Sequence, residues 1–154
     1  MRIKSTMPLL ALLVSAGALT SGASAAGSGS TLVIRHQMKG CHSWSANGDA
    51  YKASQAIKLH RGASLSVTNN DVMPHKLIET SGPAVTFTRL KAGMGMGLKG
   101  TFAPAMLPRM GSSSKVTFTK PGVYKFTTKA GEDYMTGVKT VGEDNVLRLT
   151  ITVS

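Results

Sequence analysis

The chain has 154 residues, and its 18 Lys and Arg against 7 Asp and Glu give it a formal net charge of +11. That length is typical of one domain rather than two. The basic residues are scattered and few aromatic residues lie among them, which argues against a nucleic-acid partner. A basic surface could contact an anionic cell surface or an acidic protein, although a plainly solvated surface is the simpler interpretation.

The N-terminus is typical of a secretory signal peptide. Arg2 and Lys4 precede an apolar run over residues 7–19, and small residues follow at positions 23–25. The apolar run is shorter than the ~20 residues that a membrane span needs. We therefore expect a secreted or periplasmic protein without a transmembrane segment, in which residues 1–26 are a cleaved signal, 27–30 a flexible leader and 31–154 the mature domain.

The mature sequence predicts β-strands. In the first segment Leu32, Ile34, His36 and Met38 alternate and would share one inward face. Residues 40–54 are polar and contain an Asn-Gly pair, so they predict a loop. Further apolar or alternating segments predict short strands over residues 56–60, 63–68, 76–79, 85–87, 115–119, 123–128 and 146–153.

Two long stretches lack a strand period. Residues 84–114 are rich in glycine and methionine, and beyond the short strand at 85–87 we expect loops there, with a helical turn as an alternative. Residues 129–145 predict a long loop. No segment has a sustained helical period, so the short strands and frequent turns indicate an all-β antiparallel sandwich. The sequence contains no Ser/His/Asp pattern, HExxH pair or phosphate-binding loop, and we do not expect an enzyme.

Some residue types point to metal chemistry. The sequence NNDVMPH over residues 69–75 follows an alternating strand, and Pro74 restricts the backbone just before His75. The single cysteine, Cys41, stands beside His42. A lone cysteine in an exported protein pairs with another chain, stays buried or does chemistry. Thiolate, imidazole and thioether groups together are ligands that copper takes.

Two segments resemble the cupredoxin family, the plastocyanin- and azurin-like blue copper domains. LSVTNNDVMPH over residues 65–75 is similar to the strand and loop that carry the family's first copper histidine. KPGVYKF over residues 120–126 is similar to the strand that leads into the family's ligand loop. The resemblance implies a cupredoxin-like Greek-key antiparallel β-sandwich with a mononuclear copper site for one-electron transfer.

The expected ligand loop departs from the family. Thr128 stands where the family has its copper-binding cysteine, and residues 129–135 contain no histidine, so only a methionine remains of the usual set. The strand directions of such a sandwich would bring the loop after the first strand to the same end as His75. We therefore predict a displaced copper site made of Cys41, His42, His75 and Met135.

Parts of this assignment stay open at the level of sequence. If residues 40–42 are extended, neighbouring side chains point to opposite faces. Cys41 would then remain a ligand, and His36 or a methionine would replace His42. His36 is otherwise expected in the core or as a partner that orients a ligand, and His60 on the surface.

The methionines and the tryptophan each have two interpretations. Met94, Met96, Met106 and Met110 could bind Cu(I) transiently, although packing or contact with a partner is the simpler role. Trp44, the only tryptophan, would either shield the copper site from water or anchor its loop to the core.

The sequence thus supports three functions. The first is a secreted copper protein that transfers one electron to or from a redox partner. The second is a carrier or buffer that holds Cu(I) and delivers it to another protein. The third is a cupredoxin-fold domain that binds a partner without a metal.

Overall fold

A computed structural model describes residues 29–36, 42–94, 98–129 and 147–154 of the chain. Within these ranges the backbone forms ten β-strands in two five-stranded sheets, ordered β2-β1-β4-β8-β6 and β3-β10-β9-β5-β7. None of these segments is a helix that could cross a membrane. The strands are β1 Ser30–His36, β2 His42–Ala46, β3 Ser54–Leu59, β4 Ser64–Asn69, β5 His75–Ser81, β6 Thr86–Ala92, β7 Met106–Leu107, β8 Ser112–Thr117, β9 Gly122–Lys129 and β10 Arg148–Val153.

The predicted all-β sandwich is confirmed, with one difference in strand direction. Consecutive strands such as β1 and β2 pair antiparallel, but β1 also pairs parallel with β4, and β3 pairs parallel with β10. These parallel pairs join strands that are far apart in the sequence. Local patterns cannot show such pairing, because they report which face of a strand is buried and not which strand lies beside it.

The core is built where the sequence alternates most regularly. Along β9, Tyr124, Phe126 and Thr128 are buried as predicted, while the residues between them are more exposed. On β10 the inward face predicted from the sequence is also confirmed. The alternation arises because successive side chains of a strand point to opposite faces of the sheet. The inward residues are Leu147, directly before β10, and Leu149, Ile151 and Val153 within it.

Two predicted loops contain strands. Residues 42–46 form β2 instead of part of a loop, and all five residues are buried, so the segment has no alternation to reveal it. β6 over Thr86–Ala92 overlaps the short strand predicted at 85–87 but continues to residue 92, and Met106–Leu107 forms the short strand β7 where we expected a loop. β6 lies at the edge of its sheet and has a register shift between Arg89 and Lys91, which interrupts its pattern.

The expectation that His36 lies in the core is also wrong, because its side chain is exposed. Leu32 and Ile34 are buried as expected, but the alternation stops there and both Arg35 and His36 face solvent. Arg35 stacks over the ring of Tyr51 at 4.6 Å, which holds the end of β1 against the surface. The last two residues of β1 therefore lie outside the core.

Strand directions define one end of the sandwich, which we call the histidine end. There β1 and β4 finish, because they run parallel, and β2 begins opposite the last residue of β1. β5 begins at this end, and β9, its antiparallel neighbour, finishes there with Lys129 opposite Lys76. The sequence-based argument about strand direction is therefore correct for these strands.

Several predictions lie outside the described residues. They concern the signal peptide over residues 1–26, residues 27–28 of the leader, Met38, Cys41, Met96 and Met135. The first described strand begins at Ser30, one residue before the expected start of the domain.

Candidate metal centre

A hydrogen-bonded turn fixes the backbone that leads into the histidine end. Asn69, the last residue of β4, is buried, and its Nδ2 donates to the carbonyl oxygens of Met73 at 2.8 Å and Leu107 at 3.2 Å. Its Oδ1 accepts from the backbone N–H of Asp71 at 2.9 Å. This short polar side chain thus closes the turn on itself, as asparagine often does.

Asp71 lies between two buried histidines. Its Oδ2 is 2.6 Å from Nδ1 of His42 and 3.2 Å from Nε2 of His75. All three side chains are almost fully inaccessible to solvent. The other carboxylate oxygen, Oδ1, accepts the backbone N–H of Met73 at 3.0 Å. Both oxygens therefore have donors, which a buried carboxylate requires to remain charged.

The protonation of this group follows from its partners. Burial by itself would raise the pKa of Asp71, but the hydrogen bonds from His42, His75 and the Met73 N–H outweigh it and hold the pKa well below its usual range. Because an ionised carboxylate can only accept, both facing ring nitrogens carry hydrogens. In the neutral rings the lone pairs are then on Nε2 of His42 and Nδ1 of His75, the atoms that could bind a metal ion.

His75 is held by strand pairing as well as by Asp71. It is fully buried and opens β5, opposite Leu107 of β7. Pro74, directly before it, is also buried. The histidine predicted as a loop ligand is therefore the first residue of a strand, which restricts its backbone further than the loop alone would.

His42 comes from the other sheet. It opens β2, is 2 % exposed and pairs with His36 across the β1–β2 ladder. Its ring meets that of His75 edge to face, with 4.8 Å between the centroids. Among the described residues, none forms a hydrogen bond with His42 Nε2. A buried imidazole nitrogen with a lone pair and no such bond fits a metal ligand.

His36 joins this group from the solvent side. Its ring centroid is 5.7 Å from that of His42. One ligand atom from each of His36, His42 and Asp71 lies within 4.8 Å of the other two. The histidine that we expected in the core thus stands at the edge of the candidate centre.

Of the four predicted copper ligands, the structure describes two, His42 and His75, and it brings these two together. His42 and His75 are in ring contact, while Cys41 and Met135 lie outside the described residues. Thr128 faces inward on β9 opposite Leu77, two residues along β5 from His75. Trp44 is fully buried in β2 opposite Ile34, so it anchors that strand in the core.

Asp71 is the residue that sequence reasoning missed. It was counted only as part of a polar turn, although it stands four residues before the histidine. A signal did exist, since an acidic residue in a turn next to a candidate ligand can hold an imidazole in place. Its contact with His42 could not be foreseen, because that contact depends on how the two sheets pack.

Comparisons with known proteins concern the fold. Neither a known protein family nor a curated protein matches the sequence. Similar solved structures include a novel purple cupredoxin from Nitrosopumilus maritimus, with 17% identity and a TM-score of 0.42 over 80% of this chain and 98% of that one. A variant of amicyanin in the Cu(I) state has 13% identity and a TM-score of 0.35 over 79% and 80%. Amebosin has 15% identity and a TM-score of 0.35 over 65% and 89%.

The two five-stranded sheets themselves confirm the predicted all-β sandwich. What the centre can bind depends on the side chains at the histidine end.

Proposed function

We propose that the protein is an exported copper-binding protein that carries one electron at the histidine end of its sandwich. The observation that supports this most is the meeting of His42 and His75, which come from different sheets and share one buried carboxylate. Such a pair is costly to bury unless each polar atom has a partner or a ligand. A metal ion bound at His42 Nε2, which no described residue hydrogen-bonds, would satisfy that requirement for this ring.

Copper is proposed because residues with copper-binding side chains stand next to His42 and after β9 in the sequence. Cys41 directly precedes His42, and Met135 follows β9 in the sequence, a strand that finishes at this end. Two imidazoles, a thiolate and a thioether form a set that tolerates both copper oxidation states. His42 would bind through Nε2 and His75 through Nδ1, the ring nitrogens that do not face Asp71.

The residues around the two histidines would favour electron transfer by limiting the movement of the ligands. Asp71 fixes the orientation of both rings, and Asn69 fixes the backbone of Asp71. Burial excludes water from the histidine pair. Ligands held in this way change position little when the charge of a bound ion changes, so the cost of reorganisation is small.

Titration with Cu(II) tests the proposal. We expect one copper ion per chain and an intense visible band from thiolate-to-copper charge transfer, which Cys41→Ser abolishes. His60→Ala is the matched control, because His60 is an exposed histidine at the end of β3 and its loss should leave the band unchanged. A reversible one-electron couple in voltammetry would support the redox role. Absence of stoichiometric copper uptake would contradict the proposal and favour the metal-free binding domain.

A carrier of Cu(I) is the second candidate, because two methionines line a cleft that includes Asn70, the residue before Asp71. Met94 is 97% exposed, and with Met110 it lines a cleft of about 750 Å³ that also includes Asn70. The backbones of Gly93 and Met110 can pack this closely because residue 93 has no side chain, since a Cβ there would lie 2.8 Å from the Met110 carbonyl oxygen. Tight Cu(I) binding in competition with a chelator, without a thiolate band on oxidation, would favour the carrier.

Export is tested separately. We propose that residues 1–26 are removed, which is compatible with a described fold that begins at Ser30. Mass spectrometry of the protein recovered outside the cytoplasm should give an N-terminus at residue 26 or 27. An uncleaved chain in the membrane fraction would contradict this. A redox or copper-accepting protein, and an anionic cell surface, are the partners that the basic charge would suit.

A further inference from the structure

A third histidine stands beside the buried pair, and the proposed copper site does not use it. His36 is exposed at the end of β1 and lies directly opposite His42 in the β1–β2 ladder. Their ring centroids are 5.7 Å apart in an edge-to-face arrangement. An exposed histidine thus contacts a buried one at the histidine end.

The donor atoms are close enough to share one cation. One atom each from His36, His42 and Asp71 lies within 4.8 Å of the others. Nitrogen and oxygen ligands bind Zn(II) at about 2.0–2.2 Å, which puts two ligands of a tetrahedral ion roughly 3.4 Å apart. His42 Nδ1 and Asp71 Oδ2 are 2.6 Å apart as hydrogen-bond partners. To share an ion they would have to separate by roughly 0.8 Å once the hydrogen between them leaves. His36, whose side chain is exposed, would rotate toward them.

We propose that His36, His42 and Asp71 form a divalent-cation site on the solvent side of the histidine end. Two imidazoles and a carboxylate suit borderline divalent ions such as Zn(II) and Cu(II), whereas Cu(I) prefers thiolate and thioether ligands. The site goes beyond the proposed function and does not rest on it, because this cation takes Nδ1 of His42 whereas the proposed copper takes Nε2. A neutral imidazole offers only one of these nitrogens at a time, so the two ions would compete for His42. The ligands of the divalent-cation site include neither Cys41 nor Met135.

Binding replaces a hydrogen bond without a net change of charge on the ring. The cation takes Nδ1 of His42 in place of its hydrogen, and the neutral ring carries its proton on Nε2 instead. Asp71 exchanges the Nδ1–H donor for the cation and keeps its hydrogen bond from His75. A buried carboxylate in this position offers the cation a compensating negative charge, which two imidazoles alone would lack.

Zn(II) titration of the purified protein by isothermal calorimetry tests the site. We expect one bound Zn(II), and an affinity at least about tenfold lower for His36→Ala, since the loss of even an orienting partner costs about 10–100-fold. His60→Ala should bind as the unchanged protein does. Because His36 is exposed, its removal should not disturb folding, which circular dichroism verifies. Equal Zn(II) affinity of His36→Ala and the unchanged protein, or no Zn(II) binding, would overturn the proposal.

The Cys41→Ser variant separates this site from the proposed copper site. We expect its Zn(II) binding to persist and still to depend on His36. Loss of Zn(II) binding in Cys41→Ser would overturn the present inference and assign the zinc to the thiolate. A thiolate–copper band in the unchanged protein together with no His36-dependent Zn(II) site would leave the proposed function standing alone. The reverse result would leave only the divalent-cation site.

Discussion

The two ends of the sandwich are stabilised by different interactions. At the histidine end, His42, Asp71 and His75 are buried and hold one another by charge-assisted hydrogen bonds. The opposite end, which we call the aromatic end, is built around Phe118 and Tyr124, whose ring centroids are 4.9 Å apart. There the Tyr124 hydroxyl donates to the Lys120 carbonyl oxygen at 2.6 Å, so its one polar atom is satisfied.

The difference teaches where stability and function can be separated. The aromatic end depends on volume and apolar contact, which are insensitive to pH. The histidine end depends on a charged carboxylate, so its contribution changes with protonation. Substitutions at the aromatic end should therefore change stability without changing metal binding, and substitutions at Asp71 should change both.

Phe118→Ala should have the largest effect on stability. Phe118 is fully buried against Tyr124 and Phe126, and truncating such a ring typically costs about 3–5 kcal/mol of the free energy of unfolding. Urea denaturation followed by circular dichroism measures this. Copper uptake per folded molecule should not change. The control is Val123→Ala, where the side chain is 48% exposed and the expected cost is below about 0.5 kcal/mol. A similar cost for both variants would contradict a packed aromatic end.

Asp71→Asn should cost about 1.5–3 kcal/mol at neutral pH, because it removes charge-assisted hydrogen bonds to both histidines. The pKa of Asp71 in the folded protein lies below its ordinary value of 3.8, so its contribution is present above that pH. The contribution is lost as the pH falls through the folded pKa. Stability curves of the two proteins should therefore converge as the solution is acidified below about pH 4.

The same substitution should also alter the metal centre. Without the carboxylate, the two rings lose their common acceptor, and the visible copper spectrum should change or disappear. Asp49→Asn is the control, since Asp49 is an exposed residue in the turn after β2. An Asp71→Asn protein with unchanged stability and spectrum would show that the carboxylate does not hold the rings.

Gly82→Ala compares backbone packing at the aromatic end with an open turn. Gly82 has a φ of 133°, and a Cβ there would lie 2.9 Å from Cδ1 of Tyr124. We expect a loss of about 1–3 kcal/mol from strain and overlap. Gly48 also has a positive φ, 85°, but no atom lies within 4 Å of the corresponding Cβ. Gly48→Ala should therefore show only the conformational cost, about 1 kcal/mol. Thermal denaturation distinguishes the two, and equal losses would remove the role of the Tyr124 contact.

Glu79→Gln should have the smallest effect and the opposite sign. Burial raises the pKa of Glu79, and its Oε1 has no hydrogen-bond partner among the residues that the structure describes. With a folded pKa above its ordinary value of 4.5, its ionisation costs stability as the pH rises through the folded pKa. The amide should thus stabilise the protein by up to about 0.5 kcal/mol at pH 7. That gain should vanish below pH 4.5, and a gain at both pH values would contradict this cause.

The sequence by itself determined the strands whose two faces differ in polarity. The inward residues of β4, β9 and β10 follow from alternation alone, because one face of each strand must be buried. His75 could be selected for the same reason, as it follows a regular strand and a restricting proline. These features depend on residues that are neighbours in the chain.

Only the tertiary structure decided what lies around that histidine. β2 has five buried residues and no alternation, so its pairing with β1 could not be read from its pattern. The exposure of His36 depends on where β1 leaves the sheet, and the role of Asp71 depends on a contact with His42 across the sandwich. Such contacts join residues far apart in the chain, and the packing of the two sheets, which no local pattern encodes, brings them together.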